Sequence, residues 1–486
     1  MIVVVTHKKT ARFYYVIDAL FVAQHQFGIK ITENTEEIDN LEVTPTGVFL
    51  YGDKRWIQEQ REKLQAAATT LSFPITEIIA EGLLESIGIE EKYLQPSISL
   101  KNWDSSKNWQ ASIPNKLPIL FSNESNLGFD AFSMCFWILS RYEEYGFAQK
   151  HPGKRFLSTD SIWFKSNLPM VVKNEVLFWP LVDWVRWVLL DSIGISVTEE
   201  SLHRKRGGHI IPTIDVDIAL KFGGRSFTRF MGSTVRDLLN LRPSFLERLQ
   251  YIFTGKDPYR LSKTVLGKFT SNPNTQLFIL CSDKHDREHK QIALEKIFEG
   301  RMIADLNNIS NLGIHPSIEK SPEINASVWR LELKNLQAIS NKQEITHSRF
   351  HYIHFQFPGH YKTLLKMGIQ HDWSMGYPDE IGFRAGTCFP FQWFNLKTEK
   401  TENLTIHPFQ IMDVTCKNYK KLNPELSSTY YNQLKQNVEF FGGDLCFVVH
   451  NESLSHSFPW KNWSSTFEGW FQQQVSNKTH VGGNVE

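Results

Sequence analysis

Two aspartates stand one residue apart at the end of an apolar run, IPTIDVDIA at residues 211–219. Side chains alternate across a strand, so Asp215 and Asp217 should point to the same side, where two carboxylates repel each other unless something neutralises them. A divalent metal ion is the simplest neutralising partner. Metal binding or catalysis is therefore favoured here over the alternative that these aspartates cap a following helix.

Further polar side chains occupy the trailing ends of apolar runs in the second half of the chain. They are Asp283, His315, Arg384, Asp413 and His450. In β/α barrels this edge carries the active site, because the loops that follow the strands converge on one mouth. The series therefore predicts a site at the carboxyl ends of parallel strands. For Asp283, in SDKHD, capping of a following helix is the favoured role.

Local sequence distinguishes three of these residues. A single histidine is more often structural or exposed, but His315 lies in GIHPS, where a glycine and a proline fix an abrupt turn. His450, in VVHNES, leaves a strand that has the composition of a buried one. Arg384, in GFRAG, lies among small residues, which would let its guanidinium approach a carboxylate with two hydrogen bonds.

The elements that must position these residues alternate between strands and helices. After the polar stretch SLHRKRGGHI at 201–210, this alternation predicts parallel β/α units. Before it, short apolar runs such as IVVV and GVFLYG alternate with helical stretches, which is typical of a small α/β unit. We therefore predict an N-terminal α/β domain of unknown role at 1–204 and a β/α domain at 205–486.

The segment GFDAFSMCFWILSRYEEYGF predicts a helix that ends before Gly146. Its residues Arg141, Glu143 and Glu144 have side chains that could take part in chemistry. The expected role of the three is a solvated or ion-paired helix end, because charged side chains are usually exposed to water or paired with an opposite charge.

Composition excludes several classes of protein. Among 486 residues, 53 are basic and 52 acidic, without a long run of either sign, so nothing indicates a nucleic-acid or membrane-surface partner. Asp183, Arg186 and Asp191 interrupt the apolar region at 176–195, which argues against a membrane span. The start MIVVVTHKKT does not have the pattern of a signal peptide, and the five scattered cysteines do not form a disulfide framework or zinc knuckle. A cytoplasmic protein is expected.

The ordered series TIDVD, GIHPS, SRFH, DWSMGYPDEIGFRAGTCFPF, MDVT and VVHNES resembles the polysaccharide deacetylase superfamily, of the carbohydrate esterase family four type. The resemblance covers roughly residues 208–460, and residues 372–391 are its most specific part. SRYEEYGF and the following KRF are similar to a bacterial branch with an extra N-terminal domain. The resemblance implies a distorted (β/α)7 barrel and metal-dependent removal of an acetyl group from an N-acetylated sugar or polysaccharide precursor.

The resemblance also implies roles for individual residues. Asp215 matches the general base and Asp217 a ligand of the divalent metal, for which Zn²⁺ is expected. Arg384 matches the arginine that holds the base. His450 matches the acid that protonates the leaving amine, and Asp413 the carboxylate that orients His450.

The chain departs from the family at the second motif. That motif usually carries two histidines four residues apart, and here the position four after His315 is Glu319. His351, in SRFHYIHF, is the preferred third ligand, because SRFH belongs to the pattern of this branch. Glu319 itself and His354 remain alternatives.

Two competing functions follow from the same residues. One is a non-catalytic carbohydrate-binding or scaffold protein on a degenerate deacetylase fold, which the incomplete histidine pair supports. The other takes TIDVD as the metal-binding DxD of a nucleotide-sugar glycosyltransferase. That function ranks last, because it leaves the later histidines and arginine unexplained.

Overall fold

A computed structural model describes residues 1–23, 25–38, 41–67, 74–81, 83–84, 98–102, 116–195, 208–224, 227–260, 273–282, 311–318 and 322–473. Three predicted features lie outside the described residues. They are the domain boundary near residue 205, the helix cap at Asp283 and the alternative ligand Glu319.

The first part of the chain contains a parallel four-stranded sheet. Its strands are β1 (Ile2–Val5), β2 (Ile29–Thr32), β3 (Gly47–Gly52) and β4 (Ile75–Ile79), in the order β2-β1-β3-β4. Strands β1 and β3 are buried along their whole length, as expected for continuous apolar runs covered on both faces. Helices α1 (Ala11–Ile17) and α2 (Lys54–Ala67) complete this unit, and β5 (Ile98–Asn102) pairs antiparallel with β6 (Lys116–Leu120). The predicted α/β character is therefore present.

A helical layer follows this sheet. It contains α3 (Ala131–Leu139), α4 (Tyr142–Lys150), α5 (Ile162–Lys165), α6 (Met170–Val176) and α7 (Leu181–Ser192). Helix α3 is apolar on all sides and every residue in it is buried. The prediction of a single helix that ends before Gly146 is wrong. Arg141 adopts a left-handed backbone with φ 54°, which separates α3 from α4. Helix α4 then continues past Gly146.

The second part of the chain forms a nine-stranded sheet. Its strands are β7 (Ile210–Val216), β8 (Gln276–Ile279), β9 (Leu312–Ile314), β10 (His347–Ser348), β11 (His371–Met375), β12 (Phe391–Asn395), β13 (Lys400–Pro408), β14 (Ile411–Met412) and β15 (Leu445–His450). The strand order is β12-β13-β11-β10-β9-β8-β7-β15-β14, and every pairing is parallel except that of β12 with β13.

Helices connect these strands. They are α8 (Phe227–Leu239), α9 (Ser244–Thr254), α10 (Pro322–Ser340), α11 (Gly359–Lys366), α12 (Pro424–Phe441) and α13 (Ser464–Gln472). Helix α12 shows how the sequence sets its bounds: the Asn423 side chain accepts a hydrogen bond from Leu426 N, Pro424 begins the helix, and Gly442 ends it at φ 60°. Across the described residues, none of the helices has the length and apolar character needed to cross a bilayer.

The nine-stranded sheet is curled. Strands β13 and β14 are separated by two residues, although they lie near opposite ends of the strand order. Between them, Phe409 N donates to Met375 O at 3.1 Å, and Gln410 N donates to Cys446 O at 3.0 Å. The single segment 400–412 therefore borders both β11 and β15. A half-barrel of mixed α/β structure results, and the complete (β/α)7 barrel stays a prediction.

The two predicted domains share one apolar core within the described residues. Phe13 and Phe136 belong to the same buried cluster as Phe394 of β12. At its edge, the Arg12 guanidinium donates two hydrogen bonds, of 2.8 and 2.7 Å, to the Glu399 carboxylate. The first part of the chain therefore packs directly against the β12–β13 end of the nine-stranded sheet.

Candidate metal centre

The predicted site residues lie at the carboxyl ends of parallel strands. Asp215 is on β7 and Asp217 directly follows it, while His315 directly follows β9. His351 comes three residues after β10. Asp413 directly follows β14, and His450 is the last residue of β15, where it pairs in register with Asp215. The order of strands around β7 brings these residues together.

Asp217, His315 and His351 form a group that could hold a metal ion. One ligand atom from each lies within 4.8 Å of the others. His315 Nε2 is 3.1 Å from Asp217 Oδ1, and His351 Nε2 is 3.3 Å from Asp217 Oδ2. One carboxylate and two imidazoles are a donor set that divalent transition metals bind.

Two details fit these side chains to a cation. His315 Nδ1 lies 2.7 Å from the Arg349 carbonyl oxygen, so the proton resides on Nδ1 and the Nε2 lone pair is available. His315 Nε2 and Asp217 Oδ1 are both buried, and neither makes a hydrogen bond of ordinary geometry within the described part of the chain. Buried polar atoms without such bonds are rare unless a ligand uses them.

The charge state of Asp217 also suits a metal ligand. Burial opposes ionisation, but the neighbouring His351 and His450 imidazoles outweigh it, together with His315, and hold the pKa of the carboxyl well below its ordinary value. The group is therefore ionised at neutral pH.

Asp413 and His450 form a second pair beside this group. His450 donates to Asp413 from both Nδ1 (2.8 Å, to Oδ1) and its backbone N (2.7 Å, to Oδ2). His450 Nε2 then lies 3.6 Å from Asp217 Oδ2. Burial would lower the pKa of the imidazole, but the charges of Asp413 and Asp217 prevail and raise it well above the ordinary value. This arrangement agrees with an imidazole oriented by a carboxylate.

The prediction that Arg384 holds Asp215 is wrong. Arg384 does approach a carboxylate with two hydrogen bonds, but that carboxylate belongs to Glu144, with Nε–Oε1 2.9 Å and Nη2–Oε2 2.6 Å. The physical reason is that the loop after β11, which carries Arg384, faces helix α4 and not Asp215. The Arg384 guanidinium donates its third hydrogen bond from Nη1 to Gly376 O at 3.0 Å.

Arg349 takes the place next to Asp215. Its Nη1 donates to Asp215 Oδ1 at 3.0 Å and to Thr213 Oγ1 at 2.6 Å, and its Nε donates to Trp373 O at 2.9 Å. The guanidinium also lies over the Phe278 ring, 4.7 Å from the centroid. The signal that could have found it is its position in SRFH, at the trailing end of a strand, the same criterion that selected the other residues.

The expectation that Arg141, Glu143 and Glu144 are ion-paired is confirmed. The alternative expectation, that they are exposed to solvent, is wrong. Arg141 donates to Glu144 at 2.8 Å and to Glu143 at 3.0 Å, and Arg141 and Glu144 are almost completely buried. Burial opposes ionisation of Glu144, but Arg384 and Arg141 lower the pKa of its carboxyl below the ordinary value. The network therefore joins the helical layer to the loop after β11.

The structure also distinguishes two of the candidates for the third metal ligand by their positions. His351 lies beside Asp217, whereas His354 Nε2 is 3.0 Å from the Gly153 carbonyl oxygen. Arg155, from the KRF segment, donates to Tyr352 O at 2.7 Å. The first part of the chain therefore contacts the turn that carries His351.

Parts of the chain are similar to known proteins. The profile of a family described as "Family of unknown function (DUF7033)" matches residues 2–185. Among solved structures, the chain is similar to a Mycobacterium smegmatis protein provisionally described as a polysaccharide deacetylase, with 11% sequence identity and a TM-score of 0.33. That similarity covers 55% of this chain and 84% of the other. A search of curated proteins finds no match.

Proposed function

We propose that the chain is a metal-dependent hydrolase that removes an acetyl group from an N-acetylated sugar or polysaccharide precursor. The observation that carries the proposal is the convergence of Asp217, His315 and His351, with Asp215 within 4.0 Å of His315 Nε2 and the Asp413–His450 pair alongside. A nucleophile-activating carboxylate, an oriented imidazole and a cation site are parts that metal-dependent amide hydrolysis uses.

Each residue has a proposed step. Asp217, His315 and His351 would hold a divalent ion, Zn²⁺ by preference, which would supply Lewis acidity for the acetyl carbonyl. Asp215 accepts a proton from the attacking water, while Arg349 holds its Oδ1 and leaves Oδ2 available. His450 Nε2 donates a proton to the amide nitrogen as its bond to the acetyl carbon breaks. Acetate and a free amine are the products.

The fold supports this proposal if segment 400–412 is counted as one bent strand. Together with β7 to β11 and β15, that segment would make seven parallel strands around the interior that Arg349 crosses. We propose that this is the distorted (β/α)7 barrel implied by the resemblance.

The two competing functions have less support. A degenerate, non-catalytic site was suggested by the missing second histidine, and His351 supplies an imidazole beside Asp217. The DxD glycosyltransferase needs both aspartates for one metal diphosphate, whereas Asp215 accepts a hydrogen bond from Arg349. The carboxylates of TIDVD are therefore not equivalent.

The direct test measures metal content and acetate release together. The purified chain is stripped with a chelator, reloaded with Zn²⁺, and incubated with a panel of N-acetylated mono- and oligosaccharides. We expect one metal per chain and acetate release only from the reloaded protein. Metal binding without acetate release from any member of the panel would favour the carbohydrate-binding alternative, and undiminished activity of the stripped protein would exclude the metal mechanism.

Replacement of His450 by alanine should slow turnover by roughly 10²–10⁴-fold, because the imidazole proposed to protonate the leaving nitrogen is removed. Metal content should stay at the wild-type value, since His450 is not among the three ligands. The matched control is His456→Ala, which removes an exposed imidazole six residues further along. Wild-type turnover in His450→Ala would show that this histidine is not the acid.

A further inference from the structure

Helices α8 and α9 form a hairpin with an unusually apolar surface. Nine of the nineteen exposed large hydrophobic side chains in the described part of the chain lie on it, so exposed apolar surface is concentrated on this hairpin. We call this set the hairpin face: Phe227, Met231, Val235, Leu238, Leu239, Leu241, Leu246, Ile252 and Phe253. Leu241 is 88% exposed and Phe253 84%.

Helix α8 presents its apolar side outward. The less exposed side of α8 is mixed: it includes the buried Asp237, the partly buried Ser233 and Thr234, and Phe230, which lies against Tyr251 and Arg248 of α9. The Asp237 carboxylate accepts hydrogen bonds from Ser244 Oγ and Arg248 Nη2, each at 3.0 Å. A helix that faces water normally has the opposite orientation. Polar bonds and the Phe230 ring hold the hairpin together, and the apolar side chains of the hairpin face remain exposed for another surface.

The charge around the hairpin face is strongly positive. Residues 221–260 contain eight basic and three acidic side chains, although the whole chain is nearly balanced. All three acidic groups have partners within the protein: Asp237 as above, Glu247 with Lys221 at 2.6 Å, and Asp257 with the backbone N–H groups of 221–223. The exposed cations, such as Arg236 and Lys256, therefore leave a net positive charge for an anionic partner.

We propose that the hairpin face docks on a bilayer that contains anionic phospholipids. Exposed apolar side chains beside basic ones are the combination that holds an amphipathic helix at the headgroup and acyl boundary. Lys221, four residues after Asp217, donates to Ser457 Oγ at 3.0 Å as well as to Glu247. The hairpin face therefore lies at the same edge of the sheet as the candidate metal centre, but it contains none of the metal ligands.

The test is flotation of the full chain with lipid vesicles. One set contains phosphatidylcholine alone, and the other contains phosphatidylcholine with phosphatidylglycerol. We expect the wild-type chain to float with the mixed vesicles, and less so as salt increases. The double variant Leu239→Ser/Phe253→Ser should bind at least about tenfold more weakly, because two large side chains no longer enter the bilayer.

The matched control removes exposed apolar side chains from another surface. Met170 and Val171 are each 66% exposed on α6, so Met170→Ser/Val171→Ser should float like the wild type. Circular dichroism melting checks that both variants fold. Equal binding by the two variants, or no wild-type flotation with the mixed vesicles, would overturn the proposal. So would a dimer that dissociates in the Leu239→Ser/Phe253→Ser variant while lipid binding is absent, because a second copy would then occupy the face.

Discussion

Replacement of His315 by alanine is expected to abolish stoichiometric metal binding. His315 contributes an imidazole whose Nε2 lone pair is directed by the bond from Nδ1 to the Arg349 carbonyl, and only Asp217 and His351 would remain. Loss of a residue that merely orients a ligand lowers metal affinity about 10–100-fold, and loss of the ligand itself should exceed that. The measurement is metal per chain after dialysis against a range of buffered free Zn²⁺ concentrations.

Two further variants make this result specific. His354→Ala removes a neighbouring imidazole that lies against the Gly153 carbonyl, and it should retain metal. His315→Gln keeps most of the buried volume, so a loss of metal in both His315 variants is not explained by a cavity. Full metal occupancy in the His315 variants would exclude this residue as a ligand. Loss of metal in His354→Ala would instead reassign the third ligand.

Replacement of Asp215 by asparagine should preserve the metal and lower turnover by roughly 10²–10⁴-fold. Asparagine has nearly the same shape and can still accept the bond from Arg349, but its amide cannot take a proton from water. Metal stoichiometry and acetate release are measured in parallel, once a substrate of the wild-type chain is known. A KM near the wild-type value with a reduced kcat would place the loss in the chemical step.

The control for this substitution is Asp444→Asn, which changes a carboxylate near the opposite end of β15, where it pairs with His209. That variant should keep both metal and turnover. If Asp215→Asn hydrolyses its substrate at the normal rate, the carboxylate is not the base. If it loses the metal, both aspartates of TIDVD are ligands.

The charge of residues 221–260 differs from that of the chain as a whole. The counts of 53 basic and 52 acidic residues gave no indication of a membrane-surface partner. Residues 221–260 carry eight basic and three acidic side chains, and the rest of the chain, with 45 basic and 49 acidic residues, cancels this excess in the sum. The sequence of α8 shows an apolar stripe but does not show whether that stripe faces the core or the solvent. The basic residues nearby indicate a lipid surface only once the structure shows that the stripe is exposed.

Local sequence was sufficient for the positions of most candidate residues. Apolar runs of strand length place their last residues at one edge of a parallel sheet, so Asp217, His315 and His450 could be grouped without any knowledge of strand order. The same applies to Asp413. This grouping depends on chain direction and on the period of a strand, which are properties of a few consecutive residues.

Strand order and packing determined which side chains meet. Arg384 and Arg349 both follow strands, and each could reach a carboxylate. Arg349 crosses the interior of the curled sheet to Asp215, whereas Arg384 turns outward to Glu144 on α4. Each arginine bonds to a carboxylate more than a hundred positions away in the sequence, and only the fold brings the two groups within about 3 Å of each other.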